Sequence, residues 1–502
     1  MDPQSSMVER HQSPLLRVPV EVTVEIASYL TTPDYSTLRL VCKGIEDKLF
    51  ESFARELFSR RQFMFSEFSL QALVDISKSR LAGHLKELNI SLERPRRMQL
   101  INPIHFADGH DAVQYTRASE DYLSHQGLVT TGQDLELLVQ ALHNLPKLKT
   151  VGLRDSSYFD RCRIKDPIGR TYGAPTFFQK AGYPCSVFHA GNGPMSEGVA
   201  TYFCHVFWTI LRALGKTERN TYPQLDVDLL SGYIPDIAFN IPRYLEPTIL
   251  PVLEGLTVLY LDLGQNVFQS LVSHGQGGCR THAGFFLATF LSKTQSLICL
   301  RLRFLHCLDY QAVEILQWLA GLPVSPESPN SAVFVESAQN MQGEFPEMPE
   351  TPDFQHLQYL ELGFVKVELP LLLAVYKRYQ ANMRVISLHT VTITNSVDAR
   401  TGKPVNMWAR FLRRITKLRF ELTGLRLCSL NLTYEGDKYM LRYKLRGQEP
   451  EGAAEWISDW TGTDWERAAH EVIGSMVVHW RGKAHPSVGD DSDDDWDSDE
   501  NN

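Results

Sequence analysis

Leucines spaced as L-x-x-L-x-L, each set following an amphipathic helical segment, recur along most of this chain and limit what it can fold into. "FSLQALVDISKSRLAGHLKELNISL" carries Leu85, Leu88 and Ile90, and "QDLELLVQALHNLPKLKTVGL" carries Leu145, Leu148, Val151 and Leu153. Leu256, Leu259 and Leu261 follow in "VLEGLTVLYLDLG", then Leu297, Leu300 and Leu302, then Leu357, Leu360 and Leu362. "LPLLLAVYKRYQANMRVISLHTVTI" adds another helix and strand, and "YPQLDVDLL" is the poorest copy. The last two leucines of a set stand at i and i+2, so both point to one face of a strand. The first sits at the turn entering that strand. One such unit cannot bury its apolar face; stacked neighbours can.

This pattern predicts an α/β (or α+β) body over residues 67–445, built from successive helix–strand units. Strand starts are spaced irregularly, roughly 26 to 77 residues apart, against 20–29 in regular leucine-rich repeats. Two architectures fit: an irregular, loop-inserted solenoid resembling leucine-rich repeats, or a general α/β domain with leucine-rich strands. The 502-residue length exceeds the ~250–300 residues at which a single core stops growing, unless the architecture is elongated or repetitive. Loop insertions are expected near 156–198, rich in Gly, Pro and aromatics, and near 323–354, rich in Pro, Glu and Ser. The aromatics of the first loop (Tyr158, Phe159, Tyr172, Phe177, Phe178, Tyr183 and Phe188) either pack it down or serve as recognition anchors.

Before this body, "RVPVEVTVEIASYLTTPDYSTLRLVCKGIEDKLF" concentrates apolar side chains in a short span. Pro19 suits a helix start, and Val22, Ile26 and Leu30 form one stripe. Thr32 and Pro33 begin a second helix, and Leu38, Val41, Ile45 and Leu49 form its stripe, with a break at Gly44. A third helix carries Leu49, Phe50, Phe53, Leu57 and Phe58. Three such short helices bury little by themselves. On spacing, Val22, Ile26, Leu38 and Ile45 hold them together. Pro19, Leu30, Leu40 and Cys42 are surplus, to be covered by the same chain or by a partner.

The residues "VPVEVTVEIASYL…PDYSTLRLVCKGI" resemble an F-box, and the continuation "FARELFSRRQFMFSEFSLQALVDIS" resembles the filamentous-fungal members of that family. The resemblance carries onto Pro19, Glu21, Ile26, Leu30, Asp34, Leu38, Leu40, Val41, Cys42 and Lys43. The chain departs from the family pattern at Val18, where Leu is usual, and at Ile45, where an aromatic is common. The resemblance implies a three-helix F-box over residues 16–66 that docks on a Skp-type adaptor and through it joins a cullin-RING ubiquitin ligase. The residues it implies for that contact are Val18, Pro19, Ile26, Leu30, Leu38, Leu40, Val41 and Cys42. F-box proteins often carry a leucine-rich array behind the F-box.

Composition sets the remaining expectations. The net charge of −9 comes mostly from "GDDSDDDWDSDENN", leaving no basic field for nucleic acid. Residues 486–502 cannot form a core and are expected to be disordered, as is the polar segment 1–15. Ser492 and Ser498 precede acidic residues, a context acidophilic kinases accept, in a tail that otherwise only solvates. No signal peptide or membrane span is read, and the eight cysteines show no paired spacing, so a reducing compartment, cytoplasm or nucleus, is expected. The sequons at Asn89 and Asn431 are then incidental. Thr463 and Glu466 open a capping box, and residues 446–485 are expected to form a helical cap with its apolar face from Trp465 through Val472 to Met476.

Motifs for chemistry are sparse. No phosphate-binding glycine loop and no G-x-S-x-G elbow occur, and "HAGNGPMSEG" follows no clear strand. Cys162, Cys185, His189, Cys204 and His205 lack zinc-ligand spacing, and Cys279 with His282 forms a nucleophile–base pair only if the two converge. No cofactor and no metal is expected. Three readings follow: a non-catalytic receptor that presents an unidentified target protein to a ubiquitin ligase, a scaffold whose helices pack internally, and an α/β enzyme.

Overall fold

The computed structural model describes residues 14–95, 111–155, 171–181, 185, 197–217, 223–229, 233–264, 284–307, 309–324, 347–394, 405–418, 420–434, 437–442, 457–462, 464–480 and 483–486. Within them the chain is mixed α/β with mostly parallel strands, and no described strands close into a barrel. It divides into two compact units, Met1–Val187 and Phe188–Asn502. The amino-terminal helices therefore share a unit with the first strands, instead of separating from them at residue 66.

The first unit opens with α1 (Pro14–Arg17), α2 (Val20–Ser28), α3 (Thr32–Leu40) and α4 (Lys43–Leu57). Thr31 caps α3, one residue before the expected Thr32; its Oγ1 accepts from the Asp34 N–H at 3.3 Å. The chain breaks at Cys42, and Gly44 falls in the first turn of α4, where a Cβ would stand 2.8 Å from Leu16 Cδ2. Leu15 and Leu16 pack on the helical core, so structure begins before the expected residue 16. Residues 1–13 lie outside the described residues.

α4 runs almost directly into β1 (Arg60–Met64), inside the span expected to be helical. β1 pairs in parallel with β2 (Glu87–Ser91), and β2 with β3 (Thr150–Arg154). They are joined by α5 (Glu67–Ser77), then α6 (Asp111–Thr131) and α7 (Gln133–His143). Leu88, Ile90, Val151 and Leu153 are buried, as the leucine spacing predicts. β1 escapes that pattern because "RRQFM" buries Gln62, Phe63 and Met64 and contains no leucine. A helix, α8 (Ala174–Ala181), lies within the expected loop 156–198. Tyr172 N–H donates to Gln62 O at 2.9 Å, and Met64 N–H to Tyr172 O at 3.0 Å, fastening this segment to β1. Phe177 is buried and Phe178 exposed, while Tyr158, Phe159, Tyr183 and Phe188 lie outside the described residues.

The second unit repeats the helix–strand order. It runs α9 (Glu197–Lys216), β4 (Gln224–Asp228), α10 (Glu246–Gly255), β5 (Val258–Gly264), α11 (Phe285–Ser292), β6 (Cys299–His306), α12 (Asp309–Leu319) and β7 (Tyr359–Gly363). Then come β8 (Lys366–Val367), α13 (Leu369–Arg378), β9 (Val385–His389), β10 (Thr392–Ile393), α14 (Met407–Lys417), β11 (Gly424–Cys428) and β12 (Asn431–Tyr434). β4, β5, β6, β7, β9 and β11 lie side by side in parallel. Their register aligns Leu259, Leu300, Leu360, Ile386 and Leu425 in one buried row and Leu261, Leu302, Leu362, Leu388 and Leu427 in a second. Leu422, Leu425 and Leu427 form a further L-x-x-L-x-L copy, which the leucine reading above left out.

After β7, β9 and β11 the chain turns a corner at Phe364, Thr390 and Ser429, each left-handed with φ of 55°, 54° and 52°. The corners stack: Phe364 N–H donates to His389 O at 2.8 Å and Thr390 N–H to Cys428 O at 2.7 Å. β8, β10 and β12 then pair in parallel as a second sheet. Its buried Val367, Ile393 and Leu432 continue the apolar rows around the corner. Trp408 closes this core, and its indole N–H donates to Asn431 O at 2.8 Å.

Among the described residues of the expected helical cap, strand and helix are about equal. β13 (Asp437–Arg442), β15 (Val477–Trp480) and β16 (Lys483–Pro486) extend the second sheet antiparallel, and β14 (Ile457–Thr461) ends the main sheet antiparallel to β11. Among the described residues there, α15 (Trp465–Ser475) is the helix, with Trp465, Val472 and Met476 buried as predicted. Asp464 caps it, accepting from the Arg467 N–H at 3.3 Å; Thr463 lies outside the described residues, as does the acidic tail beyond 486. Most of the 323–354 insertion is also outside them, but Pro349 O accepts from the Trp318 indole at 2.7 Å. The sequon asparagines Asn89 and Asn431 are buried in strands.

A β-branched residue is disfavoured at positive φ, whereas asparagine tolerates it. Thr390→Asn is expected to stabilise the protein by roughly 1 kcal/mol. A urea midpoint that rises at unchanged slope checks this; a fall contradicts the left-handed corner.

Candidate functional site

The bundle α2–α4 has a complete core. Ala27, Tyr35, Ile45, Leu49, Phe53 and Leu57 are buried, with Val24, Leu30, Leu38 and Phe58 packed against them. On α2 the inward stripe is Thr23–Ala27 with Val24 and Leu30, not Val22–Ile26. Thr23 can be buried because its hydroxyl donates to Pro19 O at 2.9 Å. Ala27 is small enough to let α4 approach closely. The larger Val20, Val22 and Ile26 (45% exposed) are consequently turned outward, and Tyr29 is 78% exposed. At the α3–α4 junction Leu40 and Val41 are 71% and 66% exposed, and Cys42 beside them is exposed.

Of the residues that the resemblance carried over, Pro19, Ile26, Leu40, Val41 and Cys42 are thus on the surface. Val18 is half-buried. Leu30 and Leu38 are half-buried against the bundle's own core, so Leu30 is not surplus as the spacing suggested. Val22 and Ile26, expected to hold the helices together, do not. Val20 and Tyr29 were missed; both follow once the α2 stripe is shifted to Ala27. These outward residues are apolar where solvated helix faces are normally polar.

Several contacts hold the bundle in place. Lys48 Nζ donates to Leu16 O at 2.7 Å and Val18 O at 2.5 Å, fixing the segment that leads into Pro19. Arg80, between α5 and β2, stands over the Phe50 ring at 3.7 Å and pairs with Glu46 at 3.2 Å. His84 meets the Phe50 ring edge-on at 5.5 Å. Arg39 stacks over Phe53 at 4.1 Å and pairs with Glu46 at 3.5 Å.

The second unit presents a different surface. Opposite its leucine rows, the strand register aligns Asp226, Tyr260, Arg301, Glu361, Ser387, Arg426 and Asp459. The x positions of L-x-L supply this row, and they passed unremarked in the sequence because each looks unexceptional alone. Arg301 pairs with Asp226 at 3.0 Å across the Tyr260 ring, and Arg303 pairs with Glu361 at 3.1 Å. Glu361 also accepts from Tyr359 Oη at 2.6 Å and Ser387 Oγ at 3.3 Å. Burial alone would raise Glu361; the Tyr359 hydroxyl and the two guanidiniums overcome it and hold the carboxyl below the usual range. Burial raises Tyr359 to about 12, and burial together with Arg303 lowers His389. The row is largely neutralised by its own members.

No group of three or more metal-ligating side chains occurs among the described residues. Cys204 is buried on α9, and burial pushes its thiol up to about 12, away from a reactive thiolate. Cys162, His189, Cys279 and His282 lie outside the described residues. Asp236, in a short 3-10 turn (Asp236–Phe239), and Cys307 line a cavity of about 20 Å³, which holds about one water. Asp236 is buried and Cys307 half-buried, and burial pushes the Asp236 carboxyl up to about 8, opposed by a hydrogen bond from the Leu287 backbone. No described helix is long and apolar enough to cross a membrane. No protein-family model matches the chain, and no curated protein matches its sequence.

The Asp236 shift has a defined sign. A carboxyl raised in the folded state binds its proton more tightly there than in the unfolded chain, so its contribution to stability is present at low pH. That contribution fades as pH rises from about 4 to about 8, with a slope of at most about 1.4 kcal/mol per pH unit. Asp236→Asn is expected to remove that slope and to exceed the wild type in stability at pH 8, as read from urea unfolding across this window. An unchanged slope contradicts the assignment.

Proposed function

We propose that this chain is an F-box protein: a non-catalytic substrate receptor that docks through α2–α4 on a Skp-type adaptor and so joins a cullin-RING ubiquitin ligase. The observation that carries this reading is the exposed apolar set Val20, Val22, Ile26, Tyr29, Leu40 and Val41 on a bundle whose core is already complete without them. A helical surface of this kind suits burial against partner helices. The residues Pro19, Ile26, Leu40, Val41 and Cys42 that match the family pattern fall on or beside it. Behind the bundle we read the stacked helix–strand units as an irregular leucine-rich-repeat-like solenoid that holds an unidentified target protein. Its contribution to transfer would be proximity, raising the local concentration of the target's lysines near the charged ubiquitin-carrying enzyme. Work in the cytoplasm or nucleus follows from that role.

The test is capture of purified Skp-type adaptor and cullin by the full chain. Leu40→Asp and Ile26→Asp, both on the surface, are expected to weaken capture at least about tenfold while leaving the unfolding midpoint unchanged. Leu49→Asp is the contrasting control, because it unfolds the bundle. Failure of the wild-type chain to capture the adaptor, or capture unaffected by both surface changes, overturns the reading.

A further inference from the structure

Helix α14 carries Arg410, Arg413, Arg414 and Lys417 and no carboxylate. No other described helix combines more than two cations with no acidic residue. The four stand at i, i+3, i+4 and i+7, so they share one face, opposite the buried Trp408, Phe411, Leu412 and Ile415. Arg414 and Lys417, in the last turn, complement the negative end of the helix dipole. Arg410 and Arg413 lie earlier in the helix, where that reason is absent, and like charges at these spacings repel.

The rest of the described structure leaves this face uncompensated. Arg410, Arg413 and Lys417 form no ion pair among the described residues. α15, which packs against α14, offers Glu466 and Glu471, but Glu471 already pairs with Arg467 at 3.2 Å. Glu421, just past the end of α14, is taken by Arg384.

The most acidic stretch of the chain starts beside this helix. β16 runs antiparallel to β15 and places Pro486 opposite Val477. Met476, which precedes Val477, accepts at its Sδ from Asn406 Nδ2 at 3.7 Å, and Asn406 is the N-cap of α14. Beyond Pro486 the sequence is "SVGDDSDDDWDSDENN", with carboxylates from Asp490 to Glu500 and no basic residue. Asp490 is close enough to Pro486 in sequence to lie within roughly 13 Å of it. Fully extended, Asp490–Glu500 is about twice as long as α14, which spans ~16 Å. The acidic run therefore begins near the positive end of the helix and is long enough to follow its basic face.

We propose that Asp490–Glu500 docks on the basic face of α14 in the same chain, its carboxylates meeting Arg410, Arg413 and Lys417. The contact is electrostatic, so it weakens as salt rises and withholds this face from other polyanions. It is independent of adaptor docking, so it stands or falls separately from the ligase reading.

A water-soluble carbodiimide, which joins an amine to a carboxylate as an amide with no spacer, tests this on the full chain, with mass spectrometry of the linked peptides. Lys417 is the lysine of α14; Lys78 and Lys366, both exposed, serve for comparison. Lys366 lies on β8, at the edge of the second sheet away from β16. In ~0.15 M salt, Asp490–Glu500 is expected to join Lys417 at least about fivefold more than Lys78 or Lys366. In ~1 M salt, where the Debye length falls from about 8 Å to about 3 Å, that preference is expected to fade. Arg410→Gln with Arg413→Gln is expected to lower the Lys417 yield several-fold at an unchanged unfolding midpoint. Asp493→Asn, Asp494→Asn and Asp495→Asn together alter no described residue and are expected to lower the yield at the remaining carboxylates. No preference for Lys417, or a preference that persists at high salt or in the tail variant, overturns the contact. Mixing nitrogen-15-labelled with unlabelled chain identifies the partner: links within one label support the same chain, and links mainly between labels overturn it in favour of a second copy.

Discussion

Parallel strand stacking with one wholly apolar face is the constraint on which the second unit rests. Leu300, Leu360, Ile386 and Leu425 lie in register on successive strands, so each strand's side chains complete the burial of its neighbour's. No unit of this kind is stable alone. The same register that builds the apolar rows fixes the opposite row, from Asp226 to Asp459. A polar surface in which charges meet across strands is therefore a geometric consequence of the core. The left-handed corners at Phe364, Thr390 and Ser429 extend the arrangement into a second sheet. They are stacked by backbone hydrogen bonds in place of side-chain identity, which explains how three unlike residues occupy one role.

The amino-terminal bundle obeys a different economy of space. Close approach of α2 to α4 requires a small residue, and Ala27 supplies it. The bulkier Val20, Val22 and Ile26 are left facing out. Lys48 fixes the entry to α2 from the α4 side, and Arg80 and His84 grip Phe50 from the body side. A surface held this firmly suits the proposed docking role, in which a partner must be held at a defined orientation.

Much of the body was legible because its signal repeats. The leucines named from spacing, from Leu85 to Leu362, are buried where a strand and its entering turn require. β1 was not legible because Gln62, Phe63 and Met64 bury a strand without leucine. The carboxyl-terminal strands were hidden behind tryptophans and a strong helical segment. On α2, two apolar stripes compete, and spacing alone favours the one with larger side chains. Only the packing distance to α4 selects Ala27, and with it the exposed set. Of the candidate docking residues, Pro19, Leu40 and Cys42 were read as outward from sequence, while Leu30 was misread. The polar row depends on the register of strands far apart in sequence, so no local pattern reveals it.

The central claim is that α2–α4 form a finished bundle whose outer face belongs to another protein. Hydrogen exchange on the full chain, with and without a Skp-type adaptor, tests it most directly. The account predicts that α2–α4 are protected in the free chain and that added adaptor increases protection at residues 18–42, leaving β5–β11 unchanged. Unprotected helices in the free chain, or no added protection at residues 18–42, would contradict it.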